Sequence, residues 1–176
     1  MIGRAAIILL VSLVSACSST DWRTATRESA GIAANPAVEQ QAVIEVYAAD
    51  AFSWRGWFAV HTWIATKAEN APEYTVYEVV GWRLNSGLPA LREYQSSTPD
   101  RYWYGAKPAK ILSIRGDKAS RLIPDIVDAV SRYPWPNEYT VFPGPNSNTF
   151  PAWVGQQVPE LGLIMPFRAL GSGYAD

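Results

Sequence analysis

The sequence predicts one α+β domain with a mostly antiparallel sheet and two main helices. Three observations predict it. Residues 57–83 hold two alternating, β-prone runs joined by a turn, residues 117–133 repeat apolar side chains at helical spacing, and a capping cluster at 146–149 opens a second helical run.

The elements follow in chain order. Val43-Ile44-Glu45-Val46-Tyr47 is β-prone and reads as a strand. Trp57 to Lys67 is a longer strand. Phe58, Val60, Thr62 and Ile64 share one face, and Trp57, Ala59, His61, Trp63 and Ala65 the other. Glu69-Asn70-Ala71-Pro72 is a turn, and Tyr74 to Arg83 alternates again, so the pair reads as a hairpin. Leu84 to Pro108, rich in Gly, Pro, Ser and aromatics, is expected to be a long irregular connection, and Lys110 to Ile114 a short strand.

Asp117 to Tyr133 is the clearest helix: Ala119, Leu122, Ile123, Ile126, Val127 and Val130 recur on one face. Pro124 requires either a start near Ser120, which places it in the first turn, or a kink. Pro134-Trp135-Pro136 stops the helix, Tyr139 to Phe142 reads as a strand, and Pro143-Gly144-Pro145 as a sharp turn. Asn146-Ser147-Asn148-Thr149 then caps a second helix. Pro151 sits in its first turn, its apolar face runs through Phe150, Trp153, Val154, Gln157 and Val158, and Pro159 ends it.

Composition limits the function. The chain has 176 residues, 48% of them hydrophobic, enough for a packed core in one domain. Fifteen basic and 16 acidic side chains give a net charge of −1 and no basic face for nucleic acid. One Cys and one His exclude a disulfide framework and the usual zinc sites, so no metal is expected. The absence of a P-loop or Gly-x-Gly-x-x-Gly run argues against nucleotide enzymes, and no cofactor is expected.

Arg4 precedes a short apolar run, Ala5 to Leu13, too short to span a bilayer and shaped like a secretory signal. Val14-Ser15-Ala16-Cys17 resembles the lipobox of bacterial lipoproteins. That resemblance implies a signal peptide over residues 1–16 and a mature chain beginning at a diacylglycerol-modified Cys17. The implied protein is lipid-anchored in the cell envelope and faces the periplasm. Ser18, rather than Asp, leans toward the outer membrane in a Gram-negative host. Residues 17–41 read as lipidated cysteine and tether, and residues 42–176 as the domain.

His61, the sole histidine, lies mid-strand among aromatics, and Ser147 lies at a helix N-terminus after a tight turn. A serine needs a base to become a nucleophile, and free N–H groups at a helix start can hold an oxyanion. Glu78, on the hairpin partner strand, is the candidate that orients His61, with Tyr77 and Thr75 as alternatives set by the register. The N–H groups near Asn148 are the candidate oxyanion site.

Asn146-Ser147-Asn148-Thr149-Phe150 resembles the Asn-Cys-Asn motif, followed by His or Thr and then Phe, of circularly permuted papain-like proteins. These include permuted NlpC-type cell-wall peptidases, lecithin retinol acyltransferase relatives and the PPPDE group. There a strand-borne His comes first, a polar residue follows on the next strand, and the nucleophile opens a later helix. His61, Glu78 and Ser147 follow that order, with Ser in place of the Cys. A hydroxyl gains less than a thiol from a helix terminus and an imidazole. Residues 54–174 also resemble the bacterial domain of unknown function 3750 family, through Trp57-Phe58-Ala59-Val60-His61-Thr62-Trp63, Pro145 to Phe150, and Pro159-Glu160-Leu161-Gly162-Leu163.

Two functions are therefore expected. One is a serine-type amide or ester hydrolase or acyltransferase acting on cell-wall peptide or lipid, with Asn146, Asn148, Trp63 and Trp103 contacting substrate. The other is a non-catalytic relative that binds peptide or glycan. Tyr102-Trp103-Tyr104 is the candidate exposed platform, and Arg83, Arg92 and Arg101 either bind an anion or form ion pairs. In a purely structural alternative, Ser147 to Thr149 only cap the helix and His61 is a hydrogen-bonded core residue.

Overall fold

The structure is a computed structural model that describes residues 21–176. The expected signal peptide, lipidation at Cys17 and sorting residue Ser18 lie outside the described residues. The remainder is an α+β domain. Five antiparallel strands form one sheet, in the order β4-β3-β2-β1-β5.

Strand β1 spans Val43–Asp50, three residues longer than expected. Every residue but the last is buried, because β1 lies between β2 and β5 and is covered on both faces. Its near-continuous apolar composition follows from that position. Strand β2 spans Val60–Lys67 and pairs with β1 through Ala49↔His61. The expected start at Trp57 is too early, since Ser53–Trp57 forms a 3₁₀ turn. Strand β3 spans Tyr74–Val79, confirming the hairpin, and stops short of Arg83 where Gly81–Ser86 forms another 3₁₀ turn.

The region expected to be irregular contains an edge strand, β4, Leu91–Ser96, paired with β3 through Glu78↔Arg92. β5 is Ala109–Arg115, bound to the far side of β1. The expected strand at 139–142 does not form. Prolines at 134, 136, 143 and 145 remove ladder donors on both sides of it, and β-propensity alone does not overcome that.

Helix α1 spans Asp117–Ser131 and continues through Pro124, so it starts before Ser120 and carries the proline beyond its first turn. Ala119, Leu122, Ile126 and Ala129 are buried, whereas Val127, expected on the same face, is exposed. Helix α2 spans Thr149–Gln157 with Pro151 in its first turn, where the missing N–H has no helical partner to lose.

The sheet is covered on both sides. On the helix side Ile44, Val46, Ile64, Tyr77 and Val79 pack with Leu122, Ile126, Phe150 and Val154. On the other side Val43, Tyr47, Trp63, Tyr74, Val76 and Trp103 form a second cluster. Part of the stretch expected to be a tether closes that second face. The Asp100 carboxylate accepts from Ser29 Oγ at 2.8 Å, Ile32 N at 2.7 Å and Ala33 N at 3.0 Å. The Tyr74 hydroxyl donates to the Ala34 carbonyl. From Ser29 onward the segment is therefore part of the packed body.

Candidate functional site: a buried His–Glu pair at an aromatic pocket

The register Ile64↔Tyr77 sets Glu78 beside Trp63, on the same face of the sheet as His61. His61 Nε2 lies 3.0 Å from Glu78 Oε2, and both side chains are buried. Tyr77 belongs to the helix-side cluster and Thr75 accepts from Gln95, so neither alternative orients His61.

The second oxygen of Glu78 is held as firmly. Oε1 accepts from Arg92 Nε at 2.9 Å, Arg101 Nη2 at 2.7 Å and the Tyr94 hydroxyl at 3.0 Å, with Arg92 Nη2 donating as well. Arg92 and Arg101 are thus ion-pair partners of a buried carboxylate and not anion receptors for a ligand. Arg83 donates to the Pro89 carbonyl.

These contacts fix the protonation states. Burial alone pushes the Glu78 carboxyl up. The His61 hydrogen bond and the charges of Arg101 and Arg92 outweigh it and hold Glu78 well below the ordinary carboxylate range. Burial lowers the His61 imidazole, and Arg101 and Arg92 lower it further against the opposing pull of Glu78. At neutral pH His61 is uncharged beside an ionised Glu78. A carboxylate only accepts, so the Nε2 nitrogen carries the proton and Nδ1 keeps its lone pair.

Trp103 sets the plane of the ring. Its indole stacks on His61 at 3.5 Å between centroids and 6° between planes. Trp103 sits at the base of a tight turn closed by Trp103 N to Ala106 O at 2.9 Å. Tyr104 and Gly105, its central residues, have φ of 49° and 90°. Two positive φ values match a type I′ turn, and the one at Tyr104 is a conformation that a side chain disfavours. Trp103 is only 3% exposed, so residues 102–104 are a wall and not the exposed platform expected.

Ser147 approaches from the helix side. Its carbonyl accepts from Thr62 Oγ1 at 3.0 Å, and Thr62 also donates to Asn148 Oδ1 at 3.1 Å. Asn146 Oδ1 accepts from the N–H groups of Asn148 at 2.8 Å and Thr149 at 3.2 Å, and its Nδ2 donates to the carbonyls of Val141 and Leu170. Asn148 Nδ2 donates to the carbonyls of Val60 and Leu170. Gly171 packs so closely on Asn146 that a Cβ there would overlap its amide. The asparagines therefore build the loop, which leaves little of either side chain for substrate. The amides of Asn148 and Thr149 are likewise occupied. Among the described residues, the Ser147 N–H has no acceptor.

The pocket joins the two halves. A cavity of about 530 Å³ lies at the ends of β1, β2 and β3, within the range of small-molecule sites. His61, Trp103, Asn146, Ser147 and Asn148 all line it. His61 and Ser147 reach it from opposite faces of the sheet. Among the described residues, the hydrogen bond of the His61 ring goes to Glu78, and none joins His61 to Ser147. Burial raises the Tyr139 phenol, the neighbouring Ser147 hydroxyl and Arg55 oppose it, and the phenol stays protonated. Trp63, expected to contact substrate, is buried beneath the site and donates to the Pro99 carbonyl.

Sequence reasoning missed Tyr139, Tyr94 and Thr62. It also missed the exposed side chains on the pocket, Trp54, Phe58, Trp82 and Phe142. The PheProGlyPro run at 142–145 marked a turn, but no residue type in it announces which side chains face a cavity.

Fold and site together define an α+β domain with a buried, charge-clamped His–Glu pair opening on an aromatic pocket. The chain belongs to the family described as protein of unknown function (DUF3750), whose model matches residues 41–174. No curated protein and no solved structure matches the chain.

Proposed function

We propose that the protein is a lipid-anchored cell-envelope protein, held by Cys17, whose pocket carries a serine-type site for hydrolysis or acyl transfer at an amide or ester. The observation that carries this reading is the His61–Glu78 pair. A histidine with a bare Nδ1, its other nitrogen donating to a buried carboxylate and its ring clamped by an indole, has the form of an oriented general base. The order of His61 on β2, Glu78 on β3 and Ser147 ahead of α2 supports a permuted papain-like, NlpC-like architecture.

In this reading substrate binding brings the Ser147 hydroxyl to His61. Ser147 Oγ attacks the carbonyl carbon as Nδ1 takes the hydroxyl proton. The unoccupied Ser147 N–H, in place of the Asn148 amide, donates to the oxyanion. Collapse breaks the bond to the amine or alcohol, which leaves with the proton from His61. Water, deprotonated by the same nitrogen, or an acceptor alcohol or amine then releases the acyl group from Ser147. Cell-wall peptide and lipid are the two substrate classes at that location.

The approach of His61 and Ser147 from opposite faces of the sheet favours a second reading, a non-catalytic module that binds peptide or glycan in the same pocket. Turnover of acyl ester and muropeptide substrates by the wild type, Ser147→Ala and His61→Ala separates the two. Activity lost at least about a thousandfold in both variants, with the fold intact, supports the enzyme. Binding unchanged in Ser147→Ala and no turnover by the wild type supports the module.

A further inference from the structure

The walls of the pocket and its exposed side chains specify a ligand more narrowly than the site chemistry does. Besides His61, Ser147 and the two asparagines, the lining is mostly apolar, with Phe52, Phe58, Val79, Trp82, Val141 and Phe142, and also includes Arg55 and Asn85. Several of these side chains stay exposed despite their size: Phe58 is 47%, Trp82 49% and Phe142 69% exposed. Trp54 on the same pocket and Trp57 one residue before Phe58 are exposed as well. A cluster of exposed large apolar side chains around a cavity is a contact surface for something apolar, and Trp is a residue suited to a lipid–water boundary.

The path of the chain points the same way. The Arg27 guanidinium lies 4.1 Å over the Tyr104 ring and donates to the Trp22 carbonyl at 2.6 Å. Tyr104 in turn meets Phe52 at 5.4 Å and Trp82 at 5.5 Å, both on the pocket. The amino-terminal segment therefore meets the domain at the pocket wall. Cys17 precedes Asp21 by four residues, a reach of no more than about 14 Å even when extended. An acylated Cys17 keeps this wall close to a bilayer.

We infer that the pocket takes the acyl chain of a membrane amphiphile, its ester or amide linkage at the His61 end and the exposed aromatics resting on the lipid surface. The inference rests on the proposed site only in placing a scissile bond beside His61. The chain itself is held by the apolar walls.

The test uses the full chain carrying Cys17→Ser, which has no acyl anchor of its own. Dansyl-labelled undecanoic acid is titrated below its micelle concentration and followed by energy transfer from tryptophan. Sedimentation with phosphatidylethanolamine–phosphatidylglycerol vesicles is measured in parallel. Saturable binding, weakened at least about tenfold by the pocket-narrowing Ala59→Trp, is expected, as is reduced sedimentation for Phe58→Asp with Phe142→Asp. Trp82→Ala serves as a second variant should Ala59→Trp fail to fold. Absence of saturable binding, equal binding by the variants, or displacement by a cell-wall tripeptide overturns the inference. The two readings fail separately. Loss of acyl binding with retained cleavage of an acetyl ester sinks only the acyl-chain ligand. Acyl binding without turnover of any ester sinks only the hydrolase.

Discussion

His61 and Glu78 meet at 3.0 Å across neighbouring strands, and the carboxylate that orients the imidazole is itself held by Arg92, Arg101 and Tyr94. The geometry makes the pair a single unit. Glu78 is fully buried and both of its oxygens are engaged, so its charge is tolerated only while all of its partners stay in place.

Glu78→Gln should therefore destabilise the fold by about 3–5 kcal/mol, because it leaves two part-buried guanidinium groups without their counter-charge. Urea denaturation measures the loss. In the folded fraction the His61 imidazole should titrate lower still, since the carboxylate was the group holding it up. A stability change below about 1 kcal/mol contradicts the assigned network.

Stability should fall in two stages on acidification. The folded imidazole is depressed, so below its ordinary value of 6.5 the unfolded chain takes up a proton that the folded chain refuses. The folded Glu78 is also depressed, so a second loss begins below 4.5 and continues as the pH falls toward its folded value. His61→Gln should remove the first stage and leave the second. Melting temperature against pH, measured on both proteins, shows whether it does.

Asn146→Ala should act on stability and not on substrate affinity. It strips acceptors from the amides of Asn148 and Thr149 and donors from the carbonyls of Val141 and Leu170, a loss of about 3 kcal/mol or more. Faster hydrogen exchange at residues 148 and 149 is the local readout. An unchanged melting temperature with weakened ligand binding would return Asn146 to the ligand.

Trp103→Ala removes the surface under the imidazole. The expected destabilisation is about 3–5 kcal/mol, as for other buried tryptophans. His61→Ala in the same background should cost less than it does in the wild type, because the stacked pair is already broken. Additive losses in this double-mutant cycle contradict the stacking.

Much of the architecture could be read from alternation and helical spacing. The hairpin of β2 and β3, both helices and the short β5 lie where the patterns put them, within a few residues. Strand β4 was hidden because it is an edge strand with Arg92 and Glu93 in its first half, and a half-exposed edge needs no apolar alternation. The reading of residues 139–142 failed in the opposite way, through β-prone side chains in a proline-bounded stretch. His61, Glu78 and Ser147 stood out by residue type and order. What placed Glu78 on the His61 face was the register of the hairpin, which the turn at 69–72 does not determine by itself. The exposed aromatics on the pocket follow from the folding of separate loops and have no local signature.

In the proposed hydrolase Ser147 becomes a nucleophile when His61 takes its proton. Incubation of the full chain with a fluorophosphonate bearing an alkyl tail, followed by peptide mass spectrometry, tests it most directly. Loss of fluoride and a phosphonyl adduct on Ser147, absent in His61→Ala at equal folded concentration, is the expected result. An unmodified Ser147 in a protein whose pocket still binds the dansyl fatty acid would contradict it and leave the pocket as a binding site.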